Sequence, residues 1–400
     1  MKLPSKTIQR IFLTTLFIAV VSALVSSCSE DPTAQNAIVA PSSLPGVSFR
    51  DTTIFATQDS TFLLRLPMDG ATDLIGGGAG YSASAILRFS PPISSIDTGK
   101  VISATLRLYI TYHDGPPGSV SFNTFKVTRA WDPSTVTWDS VQTDFYTPTS
   151  PLPPVSQSVP ADSQYITIPL DTAMVRLWIQ TPDAADLDRY GIMLVPTSGT
   201  SSILGFHSFS ADSVAYYPTL TVVTLGPNTT AVDTTIINSG LATFVGDCSP
   251  PTDAATLTLQ AGVVYRSWLG FDVSFLHQGF IVNSAELLVD RMNSPSFNTV
   301  LTDSTVSAHL VTGTTLNTYE VSGSVLSPVS ASSTTLSGDA RHIVQSWVHG
   351  PSYGVLLRTS SNAEFNTFDR VQLSGIRSTN AVIRPRLHLV YSIMSLEKKP

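Results

Sequence analysis

A strand pattern near residue 104 recurs near residue 285, and this repetition limits the folds open to the chain more than any other feature. Over 102–109, apolar residues alternate with polar ones, which is the period of two of a half-buried strand. The segment 281–289 repeats the pattern. Phe89 and Phe271, which precede the two segments, are 182 residues apart, and Ala104 and Ala285 are 181 apart. The sequence therefore predicts a duplicated module.

Further landmarks recur in the same order in both halves of the chain. They are Asp51-Thr52-Thr53-Ile54 and Asp233-Thr234-Thr235-Ile236, Trp178 and Trp347, Tyr190-Gly191 and Tyr353-Gly354, and Pro218 and Pro385. The apolar spacing around each tryptophan predicts a short helix with one buried face. We expect an all-β fold of two tandem β-sandwiches, over 47–225 and 230–393, with a short helix in each and a tail over 394–400.

The composition indicates an extracellular all-β protein. Charged residues make up only 13% of the chain, well below the usual quarter, and the formal net charge is −7. A chain this acidic has no general attraction for nucleic acid, so no nucleic-acid partner is expected.

The N-terminus carries the pattern of a bacterial lipoprotein signal. Lys2, Lys6 and Arg10 precede an apolar run over 11–25, which is of signal-peptide length and short for a membrane span. The run ends before Cys28, and the residues around it resemble the lipobox, in which the cysteine thiol takes a diacylglyceryl group. An ordinary cleaved signal that contains a cysteine is the alternative.

The predicted layout of this region is a signal peptide over 1–27 and a flexible tether over 28–46, rich in Pro, Ser and Ala. Ser29-Glu30-Asp31 looks like the acidic tag that some bacteria use to export lipoproteins to the cell surface. We therefore expect a protein anchored by lipid in the bacterial outer membrane and facing outward.

The segments that carry a family resemblance lie mostly in the first copy. They are 102–108, 131–138, Trp178, Tyr190-Gly191 and Pro218-Thr219-Leu220. Together they resemble the DNRLRE domain, a family also described as a carbohydrate-binding module and attached in some members to polysaccharide lyases. The resemblance covers most of 47–224 and, more weakly, 230–392. It implies a jelly-roll type of β-sandwich on extracellular bacterial proteins, and it transfers binding only as a class, because no family motif fixes a sugar-contacting residue.

Trp131 and Trp138 are the candidate carbohydrate-binding residues. They lie seven residues apart around Asp132-Pro133, and an indole face can stack on a pyranose ring. The alternative is that one or both fill the core of the sandwich. The pair is missing from the second copy, so any sugar binding is expected to be stronger in the first.

Asp183, Asp186 and Asp188 form a small acidic cluster that could hold Ca²⁺ through carboxylate oxygens. A solvated loop is the alternative. The seven histidines make no His-x-x-x-His or His-x-His pair, which gives a zinc site little support. Apart from a structural Ca²⁺ at this cluster, no cofactor is predicted.

The predicted function is non-catalytic binding to an extracellular polysaccharide by a surface-anchored lipoprotein. The first alternative is a structural or adhesive surface protein with no specific sugar ligand. An enzyme that degrades polysaccharide is the second alternative, and it is disfavoured because a uronate lyase needs a basic cleft whereas this chain is acidic. We therefore predict no catalytic residues.

Overall fold

The computed structural model describes residues 47–394 except 79, 90–99, 116–118, 143, 159–163, 181–189, 210–212, 227–230, 293–305, 317 and 331. Within these residues the chain is built mainly from strands with a few short helices, which confirms the predicted all-β class. The ten strands that make up most of the first half are β1 Val47–Leu64, β2 Thr72–Gly78, β3 Tyr81–Phe89, β4 Lys100–Asp114, β5 Ser119–Lys126, β6 Val155–Ser158, β7 Gln164–Pro169, β8 Ile192–Pro196, β9 Ile203–His207 and β10 Thr219–Leu225.

The second half contributes ten more strands over its described residues. They are β11 Val232–Cys248, β12 Thr256–Gln260, β13 Val264–Phe271, β14 Phe280–Asp290, β15 Val306–Leu310, β16 Ser324–Pro328, β17 Thr335–Asp339, β18 Val355–Thr359, β19 Arg370–Ser374 and β20 Arg386–Met394. The described α-helices are α1 Thr172–Gln180, α2 Arg341–His349 and α3 Ser361–Asn366, and 3₁₀ turns cover Trp138–Val141, Val214–Tyr216 and Ala381–Ile383.

The density of contacts divides the chain into a small and a large unit. The described residues of the small unit are 47–50, Gly279–Ile281 and 391–394, and among them the rings of Phe280 and Tyr391 stack with centroids 5.1 Å apart. The large unit comprises Asp51–Gln278 and Val282–Val390. All residue pairings and cores given below lie in the large unit.

The strands form two sheets. The N-terminal sheet has the order β11-β10-β4-β9-β2-β3-β8-β5-β6, with β7 paired to β4 and β11 also paired to β3. The C-terminal sheet has the order β1-β20-β14-β17-β16-β15-β18-β13-β12-β19. In this second sheet the pairing of β1 with β13 closes eight strands into a barrel.

The first strand of each half lies in the sheet of the other half. In β1, Ala56 to Leu64 runs antiparallel to Phe271 to Val264 of β13. In β11, Ser239 to Cys248 runs antiparallel to Phe89 to Tyr81 of β3. The division of the chain into two sheets therefore does not follow the boundary near 225–230 that the sequence predicts between the two modules. That boundary remains a prediction about where the sequence repeat ends and begins.

Both halves place a short helix with a buried tryptophan against an aromatic ring. In α1, the Asp171 carboxylate accepts a hydrogen bond from the Met174 backbone N–H at 2.7 Å and so caps the first turn. Trp178 is buried and stacks on Phe89 with ring centroids 6.5 Å apart. In α2, the buried Trp347 meets Phe271 at 6.2 Å.

The core of the N-terminal sheet lies beneath the apolar face of β4. Leu106, Leu108 and Ile110 are fully buried there, while the residues between them face outward. This is the alternation that the sequence predicts, and it fixes which side chains of β4 reach solvent.

Candidate functional site

An aromatic surface forms where β4, β7 and β9 meet on the outward face of the N-terminal sheet. Its members, here called the tyrosine cluster, are Arg107, Tyr109, Tyr165, His207 and Tyr216. Tyr109 lies directly opposite Tyr165 in the β4–β7 pairing, so the period of two puts both rings on the same face. Tyr216 reaches them from the 3₁₀ turn before β10.

The rings of the cluster contact one another at short distances. The centroid of Tyr109 lies 4.2 Å from that of Tyr216 in a stacked arrangement and 4.9 Å from that of Tyr165 in an edge-on arrangement. His207 stacks on Tyr216 at 5.2 Å. These offset and edge-on contacts are the favoured geometries of aromatic pairs, and they hold the rings as one rigid surface.

Arg107 gives the cluster a fixed cation. The Cζ atom of its guanidinium lies 3.5 Å from the centroid of the Tyr165 ring. This is a close cation–π contact, and it holds a planar group with five N–H donors over one face of the Tyr165 ring. Tyr165 is still 39% exposed, which leaves part of its ring available to a ligand.

His207 is neutral at neutral pH, because partial burial lowers the pKa of its imidazole. The cluster therefore combines one permanent cation with uncharged rings and phenolic hydroxyls. Such a surface can stack on the apolar face of a ring-shaped ligand and hydrogen-bond to polar groups at the ligand's edge.

Among the described residues of the C-terminal sheet, the positions equivalent to Tyr109 and Tyr165 hold Asp290 and Thr335. Asp290, which lies 181 residues after Tyr109, faces Thr335 in the β14–β17 pairing. Its carboxylate accepts a hydrogen bond from the Thr335 hydroxyl and pairs with Arg386 at 2.8 Å. Polar groups that satisfy one another thus replace the aromatic rings.

Trp131, one of the two predicted sugar contacts, is buried. It is 9% exposed and belongs to an apolar cluster with Ile86, Val136 and Phe145. Its indole N–H donates to the Tyr190 carbonyl at 2.7 Å. Because the indole is packed in this cluster, the structure favours the core alternative for this residue.

A tryptophan of the second half makes the same bond from another strand. Trp268 on β13 donates its indole N–H to the Tyr353 carbonyl, also at 2.7 Å, and Tyr353 is the counterpart of Tyr190 in the repeat. In both halves, therefore, an indole N–H donates a hydrogen bond to the carbonyl of the tyrosine at this position, and the bond belongs to the folded framework. Trp138, the other predicted sugar contact, is half-buried and packs against the Trp131 cluster.

The remaining predicted sites lie outside the described residues. Cys28 precedes residue 47, and Asp183, Asp186 and Asp188 fall within 181–189. Among the residues that the structure describes, no group of three or more His, Cys, Asp or Glu side chains could hold a metal ion. The calcium site and the lipidation site remain predictions.

A cavity of about 250 Å³ lies between the two sheets. Its walls include Gly77, Tyr81, Asp114, Phe368 and Arg370. The guanidinium of Arg370 is already used in contacts within the protein. Its Nε donates to the Gln260 amide oxygen at 2.6 Å, and an Nη donates to the Cys248 thiol.

A buried charge cluster stabilises the C-terminal sheet. Glu364 is fully buried, and its carboxylate pairs with Arg266 at 2.6 Å and with Arg358. Both guanidinium groups also donate to the Tyr319 hydroxyl, at 3.2 and 3.4 Å. Such a hydrogen-bonded set holds its elements in one arrangement, and removing the Glu364 carboxylate would take this partner from both guanidinium groups.

Comparisons with known proteins add little to this geometry. No protein-family model matches the chain, and no curated protein matches it. Among solved structures, one similar chain belongs to the structure of the Macrobrachium rosenbergii nodavirus, at 10% sequence identity and a TM-score of 0.17 over 90% of this chain and 93% of that chain. A TM-score this low carries no argument about fold or function. The DNRLRE resemblance stays a prediction from the sequence.

None of the helices in the described part of the chain combines the length and the apolar character that crossing a membrane requires.

Proposed function

We propose that this chain is a non-catalytic, surface-anchored lipoprotein that binds extracellular polysaccharide through the tyrosine cluster. The observation that carries the proposal is the set of contacting rings on an outward face, with Tyr165 39% exposed and Arg107 fixed beside it. Sugar rings have an apolar face and hydroxyls at the edge, which is the chemistry that aromatic rings with adjacent hydrogen-bond donors recognise.

The rings are suited to binding because their positions are set before a ligand arrives. Tyr109 is held between Tyr165 and Tyr216, and the antiparallel pairing of β4 with β7 fixes the two strands on which the first two rings stand. Ordering these side chains on binding therefore costs little conformational entropy, because they are already held in place. The equivalent face of the C-terminal sheet carries internally paired charges, which supports assigning binding to the first half.

For the fold, we propose two tandem DNRLRE-like sandwiches of jelly-roll type that exchange their first strands. The repeated order of landmarks in the sequence supports this, as do the matching contacts of Phe89 with Trp178 and of Phe271 with Trp347. The lipobox-like residues before Cys28 support a lipid anchor, and the acidic tag Ser29-Glu30-Asp31 supports a position on the cell surface.

The test is retention of the full chain, purified in detergent, on a panel of insoluble polysaccharides. The Tyr165→Ala variant is expected to weaken retention about 5- to 10-fold, since an aromatic contact contributes roughly 1 kcal/mol. Its melting temperature should fall by no more than a few degrees, because the Tyr165 side chain is 39% exposed and lies outside the buried core.

Phe55→Ala is the matched control. Phe55 is an aromatic residue of β1 that is 44% exposed and lies in the other sheet, so its loss should leave retention unchanged. If the parent is retained by no polysaccharide, the chain is a structural or adhesive protein. If Tyr165→Ala binds as the parent does, the tyrosine cluster is not the site.

A further inference from the structure

Two rows of polar side chains continue the tyrosine cluster across the outward face of the N-terminal sheet. The strand register aligns the first row in the order Thr167, Arg107, Thr219, Asn238, on β7, β4, β10 and β11. The second row, two residues further along the strands, has Thr105 opposite Thr221. We call these residues the hydroxyl rows.

The side chains of the hydroxyl rows face solvent and are available to a ligand. Thr167 and Asn238 are exposed, and Thr105, Thr219 and Thr221 are half-buried with their neighbours along the strand pointing inward. Within the described residues none of these five side chains forms a hydrogen bond to another protein group. Each hydroxyl can therefore donate one hydrogen bond and accept two.

The same face of the C-terminal sheet is occupied by its own ion pairs and hydrogen bonds. Ser337 donates to Glu286, and the His388 imidazole forms a hydrogen bond with the Asp51 carboxylate at 2.8 Å. Among the described residues, polar side chains such as Ser337 and Glu286 bind one another on the C-terminal face, whereas the five side chains of the hydroxyl rows face solvent.

The charge on the N-terminal face indicates an uncharged ligand. The pair Tyr109 and Tyr165 and the hydroxyl rows together include one cation, Arg107, and no carboxylate. That guanidinium already stacks on Tyr165. A polymer with a negative charge on every sugar would meet a single cation on a chain of net charge −7.

We infer that the ligand is a linear, uncharged polysaccharide that begins on the tyrosine cluster and extends over the hydroxyl rows. This inference rests on the proposed function and names the ligand class of the same site. Neighbouring strands are about 4.8 Å apart, so a row across four strands spans roughly 14 Å. That length accommodates several sugar rings, each of which can exchange hydrogen bonds with threonine hydroxyls or the Asn238 amide.

The experiment measures the affinity of the full chain for oligosaccharides of increasing length. The probes are cello-, chito- and xylo-oligosaccharides of two to six residues, with oligouronates of the same lengths. For a neutral series, affinity should rise with length and then level off, and the uronates should bind more weakly. The test variant is Thr167→Val together with Thr219→Val, which removes two hydroxyls while keeping the β-branched shape that strands favour.

The double variant should bind the six-residue ligand about tenfold more weakly than the parent but bind the two-residue ligand equally well. Thr53→Val, an exposed threonine of β1 in the other sheet, is the matched control and should bind as the parent does. Parent-like binding by the double variant at every length, or a preference for uronates, would overturn this inference while leaving the proposed function intact. Failure of the parent to bind any sugar overturns both.

Discussion

At the scale of single residues, Asp73 is a buried acid whose protonation couples pH to stability. Its side chain is fully buried on β2. Burial raises the pKa of the carboxyl well above the usual 3.8, the Ser208 side chain offsets part of that rise, and the Asp69 carboxylate adds to it. The folded chain therefore keeps a proton at pH values where the unfolded chain has lost it.

The sign of the effect follows from this difference in proton binding. Between pH 3.8 and the raised pKa of the folded state, folding takes up a proton, so the free energy of unfolding falls as the pH rises. The Asp73→Asn variant removes the ionisation and should melt several degrees above the parent at pH 8, consistent with about 1–3 kcal/mol for a poorly satisfied buried group.

Thermal unfolding of parent and variant from pH 4 to pH 8 checks the prediction, with the difference in melting temperature growing toward high pH. Asp139→Asn, at a residue whose side chain is 69% exposed, serves as the control and should show no such growth. A constant difference across the pH range would show that Asp73 does not titrate in this window.

The sequence predicts which face of β4 reaches solvent but not which of its residues gather into a site. The alternation over 102–109 puts Arg107 and Tyr109 on the polar face, as the structure has them. The partners of Tyr109 in the cluster are Tyr165, His207 and Tyr216, which lie 56 to 107 residues after it in the sequence. Only the strand pairing brings them together. The available signal was Tyr109, a tyrosine on the polar face of the strand with the clearest alternation.

Trp131 shows the opposite difficulty. Large aromatic residues near turns suit both a binding surface and a core, and nothing in the local sequence separates the two. The deciding observations are the packing of its indole in the apolar cluster and the hydrogen bond from the indole to the Tyr190 carbonyl, both of which depend on contacts between distant segments.

At the scale of elements, the exchange of β1 and β11 links the two sheets. The backbone of β11 pairs with β3 and β10 of the N-terminal sheet, and β1 pairs with β13 of the C-terminal sheet. Separating the halves would expose the unpaired hydrogen-bonding edges of all these strands.

This exchange could not be predicted from the sequence because the two strands begin alike. The two strands start with the same four residues, Asp51-Thr52-Thr53-Ile54 and Asp233-Thr234-Thr235-Ile236. The alternation of their side chains there is therefore equally compatible with either sheet. Periodicity identifies a strand and its faces, whereas the choice between two similar partners depends on how the intervening chain is routed.

Cleavage between the halves tests the exchange. A protease site inserted within 227–230 should yield two fragments that remain associated in native buffer and separate only in denaturant. The measurement is size-exclusion chromatography of the cleaved chain with and without guanidinium chloride, beside the uncleaved chain. Fragments that elute separately in native buffer would show that each half is complete without the other.

At the scale of the whole molecule, the first described strand and the proposed binding surface belong to different sheets. The strand that follows the tether, β1, joins the C-terminal sheet, while the tyrosine cluster lies on the N-terminal sheet. Besides the exchanged strands, hydrogen bonds join the two sheets: the Thr72 backbone N–H donates to the Asn366 side-chain oxygen at 3.0 Å, and the Tyr112 hydroxyl donates to the Asn366 carbonyl at 3.3 Å. The proposed anchor and the proposed binding face are therefore linked through both kinds of contact.

The anchor itself is the last prediction, and it concerns Cys28. A diacylglyceryl group buries two acyl chains in the bilayer, and two chains give stable anchoring where one gives only marginal binding. The full chain expressed in bacteria should therefore enter the detergent-rich phase on phase separation, and its intact mass should exceed that of the processed polypeptide by the lipid. The Cys28→Ala variant should lack the added mass and shift to the aqueous phase.

Cys248→Ala changes the other cysteine, whose side chain is buried, and should behave as the parent does. Equal masses and equal partitioning of parent and Cys28→Ala would show that the N-terminus is an ordinary signal peptide.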